Sequence, residues 1–136
     1  MKRRTIQRSL VLTAVTQLRN HPTAEEVYQY AARHNPNISR GTVYRNLSQL
    51  ADEGAIRRIP VPNASDRFDF TTEAHYHIVC RGCGRFEDAP LPYNSAADEQ
   101  VSRTTGWQCE GHDIIFQGLC PACIEKKKQI NNRRND

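Results

Sequence analysis

What this sequence lacks first is apolar length. Its mean hydropathy is −0.73 and apolar residues make up 38% of the chain. No run approaches the roughly 20 residues needed to span a bilayer, and nothing near the start reads as an apolar leader. The expected setting is therefore cytoplasmic, with no membrane partner. A reducing compartment disfavours disulfides, so the five cysteines need another use. Acids are also missing where they would matter: none stands between Arg40 and Gln49. A helix there could approach phosphate without repulsion.

Four of the cysteines form two Cys-x-x-Cys pairs, Cys80-Cys83 and Cys120-Cys123. One pair alone suits a redox dithiol. Two pairs supply the four thiolates of a closed tetrahedral zinc site, because each two-residue gap lets a tight turn aim both sulfurs at one ion. A redox or disulfide role is the competing reading. The gap from Gly84 to Leu119 exceeds that of a minimal zinc ribbon, so the metal is expected to staple two ends of a small domain. A chain of 136 residues holds one ordinary domain or two small ones, and small ones often need such a staple.

Charge divides the chain as well. Residues 1–60 carry ten Lys/Arg against four Asp/Glu, residues 61–125 four against ten, and residues 126–136 five against one. A basic module beside an acidic one rich in His and Cys suggests nucleic-acid binding joined to metal binding. Pattern agrees. Ile6, Leu10, Ala14 and Leu18 recur every four residues as the stripe of a first helix. Thr23-Ala-Glu-Glu26 is a capping box, with Ala24, Val27, Tyr28 and Ala31 as the buried face of a second helix. Ser39 can cap a third, with Val43, Leu47, Leu50 and Ala51 inward and Gly54 ending it. Ile56–Val61 and Arg67–Phe70 read as strands around a turn at Pro62-Asn63-Ala64-Ser65. Three helices and a two-stranded wing make a winged helix-turn-helix.

In that geometry the third helix reads DNA. Its outward residues include Arg40, Thr42, Tyr44, Arg45 and Asn46, of which Arg and Asn can contact guanine and adenine in two-point fashion. A solvated polar face is the plain alternative. Lys2, Arg3, Arg4, Arg8, Arg57, Arg58 and Arg67 are candidate phosphate grips. Beyond the wing, strands are expected at Tyr76–Cys80, Arg85–Asp88, Trp107–Cys109 and Asp113–Gly118, and helices at Ser95–Thr104 and Pro121–Gln129. The expected fold class is α+β: a winged helix over residues 1–70, a hinge at 71–74, a zinc-stapled α/β dimerisation domain over 75–130 and a disordered tail at 131–136.

Asp69, His75 and His77 make a second constellation. On an extended segment His75 and His77 face one side. Imidazole with carboxylate suits Fe(II), Mn(II) or Zn(II), although linker histidines can equally be solvated.

The series as a whole resembles the ferric uptake regulator (Fur) family of metal-dependent bacterial repressors. The matching segments are His21-Pro22-Thr23-Ala24, Ile38-Ser39, Thr42-Val43-Tyr44-Arg45-Asn46-Leu47 and Arg67-Phe68-Asp69-Phe70. They continue through His75-Tyr76-His77, Cys80-Arg-Gly-Cys83-Gly84 and Gly118-Leu119-Cys120-Pro-Ala-Cys123. The resemblance implies homodimers that bind operator DNA when a regulatory metal is present. It implies structural zinc on Cys80, Cys83, Cys120 and Cys123, and a regulatory Fe(II) or Mn(II) on His21, Asp69, His75, His77 and Asp88.

Asp88 stands where iron-uptake regulators usually carry Glu, as in the peroxide-responsive (PerR) branch. Ala74, Tyr76 and Ser95 stand where an additional sensing site would want His, Asp and Glu. The branch mechanism is oxidation of a ligand histidine, His21 or His75, followed by release of DNA. Tyr44-Arg45 is closer to the iron-uptake branch, and the family's additional N-terminal helix is missing or lies upstream. An iron- or zinc-uptake repressor is the near alternative. A non-haem iron enzyme using Asp69, His75 and His77, or a zinc-stapled interaction adaptor, is more distant. No enzymatic activity is expected.

Overall fold

The computed structural model describes residues 3–18 and 21–134, with the side chains of Arg3, Arg4 and Arg134 outside the description. Lys2 and the side chains of Arg3 and Arg4, expected at phosphates, therefore lie outside the description, as do 135 and 136 of the expected tail. The chain divides into two compact units between Glu73 and Ala74.

The first unit contains α1 (Arg3–Gln17), α2 (Ala24–His34), α3 (Arg40–Asp52), β1 (Arg57–Ile59) and β2 (Arg67–Asp69). Val11, Ala14, Val27, Ala31, Val43, Leu47, Leu50 and Ile56 close a single apolar core. Full burial of each larger aliphatic side chain contributes about 1.5–3 kcal/mol. The first helix keeps most of its expected stripe, with Ala14 buried and Leu10 and Leu18 packed against the core. Ile6 departs from it, being half exposed, and Val11 and Val15, which the fourfold spacing did not single out, are buried beside Ala14. Thr23 Oγ1 accepts the Glu26 amide at 3.2 Å. The Glu26 carboxylate takes the Thr23 hydroxyl rather than closing the reciprocal half of a capping box. Ser39 Oγ likewise accepts the Thr42 amide at 3.1 Å, and Gly54, at φ +78°, turns the chain out of the last turn of α3. β1 and β2 pair antiparallel with Arg57 opposite Asp69, forming the wing.

The second unit contains β3 (Tyr76–Cys80), β4 (Phe86–Ala89), α4 (Ser95–Thr105), β5 (Ile115–Gly118) and α5 (Pro121–Arg134). The sheet order is β4-β3-β5. β3 pairs antiparallel with β4, with His77 opposite Asp88, and parallel with β5, with Cys80 opposite Gly118. Two expectations fail here. Trp107–Cys109 is a loop, because the Trp107 and Cys109 amides donate to Thr105 Oγ1 and Ser102 Oγ of α4 rather than to a strand. The expected disordered tail is helical as far as Arg134, since α5 runs well past Gln129. Its Lys- and Arg-rich composition looked solvated, but these residues propagate a helix that has already started.

Candidate metal centres and reader helix

The parallel pairing of β3 with β5 places their C-terminal ends side by side, and each end runs straight into a Cys-x-x-Cys turn. The Arg81 amide donates to Gly118 O at 2.8 Å, locking the two turns together. Cys80 Sγ lies 3.6 Å from Cys123 Sγ, and Cys83 Sγ 3.8 Å from Cys120 Sγ. All four sulfurs fall within 4.8 Å of one another. Disulfide sulfurs would be about 2.05 Å apart. Two sulfurs about 2.3 Å from one ion at the tetrahedral angle are about 3.8 Å apart. These distances exclude a formed disulfide, and the convergence of all four sulfurs fits a structural zinc site.

The backbone prepares the sulfurs. Amides of Gly82, Cys83 and Cys120 all donate to Cys80 Sγ, at 3.3–3.4 Å. Those bonds, that of Cys120 foremost, draw the Cys80 thiol down to about 6. Cys123, facing Cys80 and Cys120, is pushed up to about 12. Thiols this close cannot all ionise without a cation between them. Gly82 is fixed by packing: a Cβ there would stand 2.8 Å from Cys123 Sγ. Gly82→Ala is therefore expected to weaken zinc retention about 10- to 100-fold, the range typical of outer-shell changes, measurable as zinc transfer to a chromogenic chelator.

The remaining predicted ligands fall into two sets, one in each unit. In the second unit, Asp88 sits across from His77 on the neighbouring strand. Its Oδ1 lies 3.1 Å from His75 Nε2 and 3.4 Å from His77 Nε2. His77 is buried and stacks on Phe86 at 5.1 Å. Ligands of one divalent ion with bonds of about 2.0–2.2 Å stand about 3.0–3.5 Å apart. In the first unit, His21 Nε2 lies 3.3 Å from Asp69 Oδ2. Asp69 Oδ1 accepts the Thr71 amide at 2.9 Å, which turns Oδ2 toward the imidazole. His21 adopts φ +57°, a left-handed conformation uncommon outside glycine, held by Arg67 donating to its carbonyl at 3.0 Å and Phe68 N–H to Pro22 O at 2.9 Å. Arg67 is thus used internally rather than as a phosphate grip. Imidazole and carboxylate donors of this kind suit a regulatory Fe(II) or Mn(II) rather than the sulfur-bound zinc.

His112 has a different use. Tyr76 Oη lies 2.7 Å from its Nε2 and Asp98 Oδ1 2.6 Å from its Nδ1. Tyr93 donates to the other oxygen of Asp98, and the Cys109 thiol reaches Asp98 Oδ1 at 3.5 Å. Both ring nitrogens are engaged in hydrogen bonds, so His112 ties α4 to the strand that carries His77.

On α3, Tyr44 and Arg45 are exposed, and Thr42 is half-buried. Asn46 is also half-buried and gives its amide to Thr42 O at 2.9 Å. Arg58 donates to Ser48 Oγ at 2.8 Å, joining the wing to α3. Arg40 donates to Glu25 Oε2 from Nε at 3.1 Å and to Oε1 from Nη2 at 2.9 Å. The sequence reading missed Glu25, whose place in the Thr23 capping sequence gave no hint of a partner fifteen residues on.

Known proteins resemble this chain in sequence and in fold. A model of the ferric uptake regulator family matches residues 2–117. Over 122 residues the chain is 36% identical to the peroxide-responsive repressor PerR of Staphylococcus saprophyticus, covering 90% of this chain and 82% of that one. The Campylobacter jejuni peroxide stress regulator aligns with TM-score 0.71 and 30% identity over 88% of this chain and 90% of its own. The Helicobacter pylori ferric uptake regulator shares the fold, with TM-score 0.73 and 24% identity over 87% and 79%. A winged helix, a four-sulfur site and separate histidine–carboxylate sets, matched by a family model over most of the sequence, place this chain in the ferric uptake regulator family.

Proposed function

We propose that the protein is a metal-dependent transcriptional repressor. In this reading it binds operator DNA as a homodimer and leaves it when peroxide oxidises a histidine ligand of bound Fe(II). The observation that carries the proposal is the convergence of His75, His77 and Asp88 around Asp88 Oδ1. Three ligands leave a divalent ion of this class under-coordinated, and His21 with Asp69 supplies two more. An ion that takes all five favours only the arrangement of the two units that lets it do so, which is the differential affinity a switch requires.

Homodimerisation is supported by the second unit's surface. Helix α4 has no buried residue, and Val101, Trp107 and Phe116 are exposed. β5 lies at the edge of its sheet, a natural place for a second chain to cover. DNA binding is supported by the capped α3, which carries no acid from Arg40 to Gln49, and by the wing joined to it through Arg58 and Ser48.

The peroxide branch is supported by the 36% identical PerR and the Campylobacter peroxide stress regulator. When bound, Fe(II) would activate peroxide beside its ligands without being consumed, since the imidazole provides both electrons that reduce the peroxide. The step is an oxygen transfer: the O–O bond breaks, an imidazole C–H becomes C=O with its proton moved to nitrogen, and the other oxygen leaves as water. His77 is buried, whereas the side chains of His21 and His75 keep 10% and 21% exposure, which favours these two as targets. The zinc thiolates, each held by the ion in a closed four-sulfur site, would be bystanders.

The test is peptide mass spectrometry of zinc-containing protein loaded with Fe(II) or Mn(II) and then given mild peroxide. One added oxygen on the peptide holding His21 or His75, with Fe(II) alone, is expected. No histidine oxidation, with DNA binding still metal-dependent, would instead assign the protein to metal-level sensing.

A further inference from the structure

The reader helix begins with an arginine whose direction is already set. Arg40 is the first residue of α3, the end from which such helices contact base edges. Its Nε and Nη2 form a fork with the Glu25 carboxylate, and its guanidinium carbon lies 4.3 Å from the centre of the Tyr28 ring. Glu25 is itself held from three sides, since Gln29 Nε2 and the Tyr44 hydroxyl also donate to it, at 3.0 and 3.4 Å. A two-point fork fixes rotation within the guanidinium plane, and the ring beneath fixes the plane. Arg45 is less constrained, with one long contact to Thr42 Oγ1 at 3.4 Å.

The edge facing Glu25 is the side-on edge. A guanidinium has five N–H donors; Glu25 takes two, leaving three on Nη1 and Nη2. Two of those three form the parallel end-on pair, the one that matches O6 and N7 of guanine across the major groove. We infer that Arg40 reads a guanine in each half-site and that Glu25, with Tyr28, is a positioning group that aims it without contacting DNA. A carboxylate on this face would by itself repel phosphate. Engaged by Arg40, it instead removes the rotamer freedom that a long side chain would otherwise lose on binding. The Arg40 fork, then Gln29, holds the Glu25 carboxyl down to about 2 from its usual 4.5. The ion pair therefore persists at any near-neutral pH and weakens only as acid approaches that low value.

This inference rests on α3 being the reader, and the experiment separates the two. Full-length, metal-loaded protein is used to select duplexes from a randomised DNA library, in parallel with Arg40→Ala, Arg40→Lys and Glu25→Gln. Wild type is expected to enrich guanine at one position of each half-site. Arg40→Ala should lose that preference and bind the selected duplex about 5- to 150-fold more weakly, the range for one two-point base contact. Arg40→Lys keeps the charge and should not restore the preference. Glu25→Gln should lower discrimination at the same position while raising affinity for unrelated duplex, a split that mere loss of structure would not produce. If Arg40→Ala weakens every duplex equally and leaves the selected sequence unchanged, Arg40 is a phosphate contact and the inference is overturned. If wild type selects no sequence with any metal, the reader assignment of α3 fails along with it.

Discussion

Cys80→Ser is expected to unfold the second unit while leaving the first folded. Among the described residues of that unit only Tyr76, His77, Cys80, Phe86 and Ala89 are buried, so its apolar core is small. A structural zinc site contributes about 10–16 kcal/mol in small zinc domains, whereas whole domains are stable by only about 5–15 kcal/mol. Cys80 is also the sulfur on which the amides of Gly82, Cys83 and Cys120 converge, and those donors would lose their thiolate acceptor. The expected result is loss of bound zinc, rapid amide exchange throughout 74–136 and loss of self-association, with the α1–α3 core still protected. Chelation of zinc from the wild type should reproduce it. Cys109→Ser, which touches Asp98 rather than the sulfur cluster, should retain zinc. A Cys80→Ser protein with zinc content and exchange protection unchanged would rule out the structural role.

The second large effect is on regulation without unfolding. His77→Ala or Asp69→Ala should abolish the Fe(II)- or Mn(II)-dependent gain in DNA binding and preserve zinc and self-association. Each removes a proposed ligand, so the loss of regulatory-metal affinity should exceed the roughly 10- to 100-fold typical of changes outside the coordination shell. Fluorescence anisotropy with a labelled operator duplex, with and without Mn(II), measures the effect. Either variant binding DNA only when Mn(II) is added would show that the proposed ligand set is wrong. His77→Ala also removes a buried ring stacked on Phe86, so zinc content and thermal melting belong in the same experiment. Asp69→Asn is the gentler partner, since it keeps the acceptor for the Thr71 amide while removing the charge.

How much of this was readable beforehand depends on the range of the information. The capped starts of α2 and α3, the buried positions Val27, Ala31, Val43, Leu47 and Leu50, and the Cys-x-x-Cys turns are local. Side-chain direction follows backbone period within a few residues, so the sequence alone could place them. The same logic erred where two local preferences competed. Ile6 fitted the stripe of α1 but is half exposed, the Trp107 and Cys109 amides went to α4, and a tail that looked solvated continued as α5. His21 and Asp88 had no local signal. One is a loop residue before a proline, the other an exposed acid on a short strand, and only the family resemblance singled them out.

The chain by itself thus determined its elements, its cysteine turns and the charge of its two halves, because each depends on neighbours along the backbone. Tertiary structure decided which distant groups meet. Parallel pairing of β3 with β5 brought Cys80 and Cys83 to Cys120 and Cys123, and antiparallel register set Asp88 opposite His77. Packing of α2 against α3 gave Arg40 to Glu25. Strand partners and helix contacts are chosen by the burial they achieve together, so no window of sequence contains that choice.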